Sequence, residues 1–216
     1  GDNRARITMV STDGHRLSKV ERELDAADYD GSSHRAIVHR RGAHELTRIL
    51  EGSDPAVRIE VVGRNIVFTS DRARLQIRQI EETFPDYQRI LPDPSGNSVM
   101  LSRAAFIAAI KRVSALASGK NNLLRVDIEP EADGEPGMMT LEMVHADRGD
   151  AHERLVMPEY SGPKVSVGFN PTYLLDVCSV LKVENLQVEI SDQFSPCLLH
   201  SEESPGATFV VMPMRL

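Results

Sequence analysis

Between Val57 and Ile80 apolar and polar residues alternate in short runs. Val57, Ile59 and Val61 interleave with Arg58, Glu60 and Val62, Gly63-Arg64-Asn65 reads as a turn, and Ile66 and Phe68 resume the alternation. Leu75, Ile77 and Ile80 predict a third strand. Upstream, Ala43 to Leu50 has helical spacing, with Leu46, Ile49 and Leu50 on one face. The same order of elements returns later. Val165 to Gly168 is strand-like, Pro171 suits a first helical turn, and Tyr173, Leu174, Val177 and Leu181 form an apolar helix face. Leu186, Val188 and Ile190 then alternate as a strand.

The two stretches are in register. Ile37, Leu46 and Ile49 lie 128 positions before Val165, Leu174 and Val177, and Val57, Ile59 and Val61 lie 129 before Leu186, Val188 and Ile190. A third copy starts at Val99, where Phe106, Ile107, Ile110 and Val113 fall 67 positions before Tyr173, Leu174, Val177 and Val180. After it come Leu124 to Ile128, Met138 to Val144 and Arg154 to Met157 as strands. A unit of strand, helix and three strands, repeated, predicts an internal duplication. The expected fold is α+β, with antiparallel sheets and two helices in each complete domain. Residues 98–216 hold two copies and read as a complete domain, 1–92 as a partial domain truncated at its N-terminus, and 93–97 as the linker, rich in Pro, Ser and Gly.

Composition narrows the function classes. The chain has 216 residues, 41% hydrophobic and 26% charged, as in soluble globular proteins. No apolar run approaches the ~20 residues of a membrane-spanning helix, and no signal peptide opens the chain, so a cytoplasmic setting is expected. Cys178 and Cys197 have neither metal spacing nor the density of a disulfide scaffold, and read as buried thiols. The absence of tryptophan and the 5% aromatic content argue against a surface of stacked bases.

A formal charge of −7 is a sum over the chain, and its distribution is uneven. From Ser102 to Lys120 there are Arg103, Lys111, Arg112 and Lys120 and no acid. The earlier helix is led by Arg40-Arg41 and carries Arg48 against Glu45. The acids gather at Glu129 to Glu135, Asp147 to Glu153 and Glu202-Glu203. Each basic helix by itself reads as a solvated face. Two related helices with the same bias point to phosphate contacts without sequence readout.

Catalytic signatures are missing: there is no phosphate-cradling glycine loop, zinc spacing or nucleophile elbow. His34 and His39 lack a third ligand, so no metal is expected. Asp13 and His15 form the one acid–base pairing of note, but two residues apart in "STDGHRL" they fit a tight turn around Gly14. At the other end, "FVVMPMRL" carries a strand over Phe209 to Met212 that Pro213 stops from continuing. The methionines make an adaptable apolar lip.

Four stretches in order, "TDGHRL" (Thr12 to Leu17), "FPDYQRILP" (Phe84 to Pro92), "GFNPTYLLDV" (Gly168 to Val177) and "VVMPMRL" (Val210 to Leu216), closely resemble the bacterial sliding-clamp family, the β subunit of DNA polymerase III. The resemblance covers essentially the whole chain. It implies the latter part of a second clamp domain and a whole third one, from a protomer of three similar domains. It implies a non-enzymatic processivity factor whose homodimeric ring encircles double-stranded DNA without sequence preference. A ring is not expected of this stretch without the first domain.

The resemblance also implies a groove between second and third domains. That groove docks linear motifs of DNA polymerase III and other polymerases, the clamp loader, and mismatch-repair and ligase-type proteins. One wall is Thr12, Gly14, His15, Arg16, Leu17 and Pro92. The other is Asn170, Tyr173, Phe194, Pro196, Val210, Val211, Met212, Pro213, Met214, Arg215 and Leu216. Leu17, Val211, Met212 and Met214 are expected to bury the motif's apolar side chains. The DNA-facing candidates are Arg40, Arg41, Arg103, Lys111, Arg112 and Lys120. No cofactor or metal is implied. A small hydrolase built on Asp13 and His15, and a duplicated scaffold without DNA contact, are the competing readings.

Overall fold

The computed structural model describes residues 4–25, 31–51, 56–92, 97–116, 122–158, 160 and 162–216. The linker expected at 93–97 therefore lies, except for Asn97, outside the described residues. In chain order the first elements are β1 (Arg4–Thr12), β2 (Arg16–Asp25), α1 (Arg40–Leu50), β3 (Arg58–Val62), β4 (Asn65–Thr69) and β5 (Arg74–Arg78). Next come β6 (Ser98–Ser102), α2 (Arg103–Val113), β7 (Leu124–Glu129), β8 (Gly137–His145) and β9 (Gly149–Met157). The last are β10 (Val165–Phe169), α3 (Pro171–Val180), β11 (Asn185–Glu189), β12 (Cys197–His200) and β13 (Ala207–Val211).

Contacts divide the chain into a smaller unit within Ala26–Asp86 and a larger one of Arg4–Asp25 with Tyr87–Leu216. The hairpin β1–β2 thus groups with the C-terminal part, as do residues 87–92, and not with Ala26–Asp86. The reason is strand pairing: β2 runs antiparallel to β13, with Leu17 opposite Val210 and Arg16 opposite Val211.

In the larger unit one six-stranded sheet runs β1-β2-β13-β12-β11-β6 and one four-stranded sheet runs β10-β7-β8-β9. Each repeat lends the strand before its helix to the other repeat's sheet, since β6 pairs with β11 and β10 with β7. The two copies are therefore interlocked. Both helices bury one stripe in the shared core: Phe106, Ala109, Ile110 and Val113 on α2, and Pro171, Leu174, Val177 and Cys178 on α3. Both are capped as their sequences suggest. Ser102 Oγ accepts from the Ala105 N–H, and Asn170 Oδ1 from the Thr172 N–H, with Pro171 opening α3.

These stripes correct the register of the repeat. Phe106, Ala109, Ile110 and Val113 correspond to Leu174, Val177, Cys178 and Leu181, and the cap Ser102 to the cap Asn170, a spacing of 68 positions. The spacing of 67 pairs Val113 with Val180, which is 65% exposed. Ile107 and Tyr173 flank the stripe and led the shorter spacing astray.

The smaller unit holds α1 and the three-stranded antiparallel sheet β3-β4-β5. Leu46, Ile49 and Leu50 keep their spacing of 128 to Leu174, Val177 and Cys178, but α1 starts at Arg40, before the expected Ala43. His39 supplies the cap, its Nδ1 accepting from the Arg41 N–H at 3.2 Å.

Candidate docking site and basic helices

Within the larger unit, the turn between β1 and β2 is locked by its own short side chains. Gly14 sits at φ +85°, the left-handed region that favours glycine. Thr12 Oγ1 donates to the Arg16 carbonyl at 2.8 Å and accepts from the Gly14 N–H at 3.2 Å. One Asp13 oxygen accepts from the backbone N–H groups of His15 and Arg16, both at 3.0 Å, and the other from Arg16 Nε at 3.0 Å. Partial burial opposes ionisation of Asp13, but these donors outweigh it and hold the carboxyl below its ordinary range. Asp13 meets the His15 backbone and not its imidazole, so the acid–base pairing is not made.

The turn faces the first turns of α3. Arg16 forms an ion pair with Asp176 as well as with Asp13, and its guanidinium carbon lies 4.6 Å from the Tyr173 ring centre. The Asp176 hydrogen bond is the largest cause raising the Arg16 pKa. The His15 ring stacks on Tyr173 with 6.1 Å between centres and planes 19° apart. A planar cation held by two carboxylates and an imidazole thus fix the Tyr173 ring as a rigid platform.

Beside this platform runs the C-terminal segment. Met212 donates its N–H to the His15 carbonyl at 2.8 Å, and Met214 its N–H to the Gly168 carbonyl at 2.7 Å. Gln193, Phe194, Met212, Pro213, Met214, Arg215 and Leu216 line an open cleft of about 500 Å³. Phe194, 73% exposed, is carried on a turn fixed by Asp192, which accepts from the Phe194 and Ser195 N–H groups, both at 2.7 Å. Pro196 follows, half-buried.

A second apolar cluster lies on the face of the six-stranded sheet opposite the main core. Leu17, Leu198 and Val210 form it, with Val10, Tyr87, Ile90 and Leu91 packed against them and half-buried Pro92 next in the chain. Val210 and Val211 have no exposed surface, and Leu17 is 2% exposed. Leu17 and Val211 were expected to bury a partner's side chains, but Leu17 is buried in this outer cluster and Val211 in the main core, and Met212, Pro213 and Met214 offer the accessible apolar surface. Asp176, Gln193 and Leu198 were missed. Asp176 stands three residues after Tyr173 on one helix face, a spacing that the sequence displays.

The basic residues meet different fates. Arg40 and Arg41 are exposed in the first turn of α1, while Arg48 is paired with Glu45 at 2.8 Å. Arg103 is half-buried and donates from Nε to the Val183 carbonyl at 3.0 Å. Lys111 is exposed on the last turn of α2. Arg112 makes a bidentate pair with Glu153 on β9, at 2.6 and 2.8 Å. Lys120 lies outside the described residues. The first turns of α1, α2 and α3 lack an acid. For α1 and α2, whose first turns carry arginine, this runs against the dipole preference.

Among the described residues no group of three or more His, Cys, Asp or Glu side chains is placed to hold a metal ion. None of the helices described is long and apolar enough to cross a membrane.

Comparison with known proteins gives one consistent answer. The profile of the DNA polymerase III beta subunit, C-terminal domain, matches residues 88–215, and that of its central domain matches residues 2–86. The beta sliding clamp of Pseudomonas aeruginosa is 32% identical over 214 residues, 99% of this chain and 56% of the relative. That of Escherichia coli K12 is 30% identical over 217 residues, 97% of this chain and 55% of the relative. The crystal structure of the Pseudomonas aeruginosa subunit superposes with a TM-score of 0.86 at 31% identity, covering 98% of this chain and 55% of that one. A Caulobacter crescentus pol III beta structure does so with a TM-score of 0.86 at 29% identity, covering 98% and 55%. The chain spans about half the length of these relatives. It carries the α+β clamp fold, and it belongs to the family of bacterial sliding clamps, the β subunits of DNA polymerase III.

Proposed function

We propose that this protein works as a DNA sliding clamp, a non-enzymatic processivity factor that docks its partners through linear motifs in the cleft beside Tyr173. Residues 1–92 and 98–216 then correspond to part of the second clamp domain and to the third. The full-length protein closes as a homodimeric ring around duplex DNA. Polymerases, the clamp loader and repair proteins take turns at the cleft.

The observation that carries this reading is the pairing of a rigid polar platform with an adaptable apolar cleft. Tyr173, His15 and Arg16 are fixed by neighbours, while Met212, Met214 and Phe194 expose flexible or aromatic surface around about 500 Å³. Such a site takes a short peptide with one or two apolar anchors and a few orienting hydrogen bonds. Asn170 spends its Oδ1 on its own helix and keeps its amide N–H groups to donate. Affinity on the order of micromolar suits partners that exchange.

The test is fluorescence anisotropy of a labelled glutamine-leucine-x-leucine-phenylalanine peptide. Saturable binding is expected with the intact chain and its loss with a chain lacking Met214–Leu216. Absence of binding by the folded intact chain overturns the docking role. For DNA, Arg40, Arg41 and Lys111 supply exposed charge, with Arg103, Arg112 and Lys120 as further candidates. Binding is expected to weaken steeply with salt.

A further inference from the structure

The C-terminal segment passes from one sheet to the other. Val211 still pairs with Arg16 of β2 and Cys197 of β12. Met212 then bonds to the β1–β2 turn, and Met214 bridges antiparallel to Gly168 on β10. Alternate amides are the ones used, and Pro213, which has no N–H, stands between them. β10 is an edge strand whose other side pairs with β7, Gly168 lying opposite Arg125. The C-terminal segment therefore adds a single antiparallel bridge to that edge.

Gly168 stands where this crossing is tightest. A Cβ there would lie 2.7 Å from Leu123 Cδ1, 2.8 Å from the Met214 carbonyl oxygen and 3.3 Å from Leu216 Cδ2. The Leu123 methyl can rotate aside, but the Met214 oxygen is backbone and yields only if the segment moves. Gly168 is not among the positive-φ residues, so its backbone makes no demand for glycine. The demand is for space alone, as where another backbone closely approaches a strand.

We propose that Gly168 is a positioning residue of the docking cleft. Its missing side chain lets Met214–Leu216 seat against β10 and so sets the wall facing Phe194. The seating stands on the geometry above, whereas its effect on peptide affinity rests on the docking role proposed for the cleft.

The experiment is Gly168→Ala in the whole chain, read by hydrogen exchange at the Met214 amide and by affinity for the labelled peptide. Exchange at Met214 is expected to accelerate at least about tenfold, as when one backbone hydrogen bond is lost, with Leu199 in β12 unchanged. Peptide affinity is expected to fall by a similar factor. In a chain ending at Pro213, which lacks the Met214 oxygen, Gly168→Ala is expected to leave the urea midpoint unchanged. Should Gly168→Ala fail to fold in the whole chain yet fold in the shortened one, the clash is confirmed.

Unaltered protection at Met214 overturns the proposal. So does an equal loss of folding stability in the shortened chain, since Gly168 would then act through the rest of the fold. If the unsubstituted chain binds no peptide, the docking role fails, and Met214 exchange still decides the seating.

Discussion

Asp13 shows how neighbours can use up a reactive-looking side chain. Its two oxygens take backbone N–H groups and a guanidinium, all within the turn. Because the native carboxyl titrates below its ordinary 3.8, the unfolded chain binds more protons just below that pH. The stability that ionised Asp13 contributes is complete above 3.8 and is lost as the pH falls through the native value. Urea midpoints should therefore place the unsubstituted chain ahead of Asp13→Asn near neutrality, with the gap closing on acidification. A gap that persists in acid would show that the carboxylate charge contributes nothing. The two cysteines present the opposite case. Burial pushes the Cys178 thiol up to about 11 and raises Cys197 further, where the Glu189 carboxylate also opposes a second negative charge. Both should resist a thiol reagent in the native protein near pH 8 and react once it is unfolded. Prompt labelling of either in the folded state would contradict that burial.

At the scale of elements, β2 ties the hairpin to the C-terminal sheet. Leu17, opposite Val210 and 2% exposed, anchors the outer cluster with Leu198, Ile90 and Leu91. Leu17→Ala should cost roughly 2–5 kcal/mol in urea unfolding, through lost transfer energy and the cavity left behind. Peptide affinity should fall with it, because the pairing of β2 with β13 that leads into Met212 loosens. A cost no larger than that of a surface alanine would refute the anchoring role. This pairing was not legible in the sequence, since nothing local in Arg16–Asp25 says that its partner lies at Ala207–Val211. What could be read was local periodicity. The alternation over Val57–Ile80 became β3, β4 and β5, and the apolar stripes became α1, α2 and α3. Boundaries slipped where an unusual group acts, as when His39 caps α1 in place of a serine or aspartate. Within the cleft, the turn and the methionine lip were readable as motifs. Asp176 and Gly168 were not singled out, because their roles depend on what the fold brings beside them.

For the whole molecule, the sign of the net charge and the proposed DNA contact are reconciled by how the charges are paired. Acidic β9 spends Glu153 on Arg112, leaving Lys111 exposed one residue earlier on the same helix end. Both cations sit at the C-terminus of α2, where the helix dipole favours them regardless of any ligand. Position by itself therefore does not distinguish a DNA contact from a capping charge, but the two roles respond differently to substitution. If α2 approaches phosphates, Lys111→Glu should weaken binding to a short labelled duplex more than Arg112→Glu does, because Arg112 already has a partner. Glu153→Gln should strengthen binding by releasing the Arg112 guanidinium, and should steepen the log–log salt slope by about 0.9 for the one added phosphate contact. Capping alone predicts a different outcome, in which all three substitutions shift thermal stability and leave duplex affinity and its salt slope unchanged. The sign of the Glu153→Gln effect is the sharper readout, since simple loss of stability would weaken binding and not tighten it.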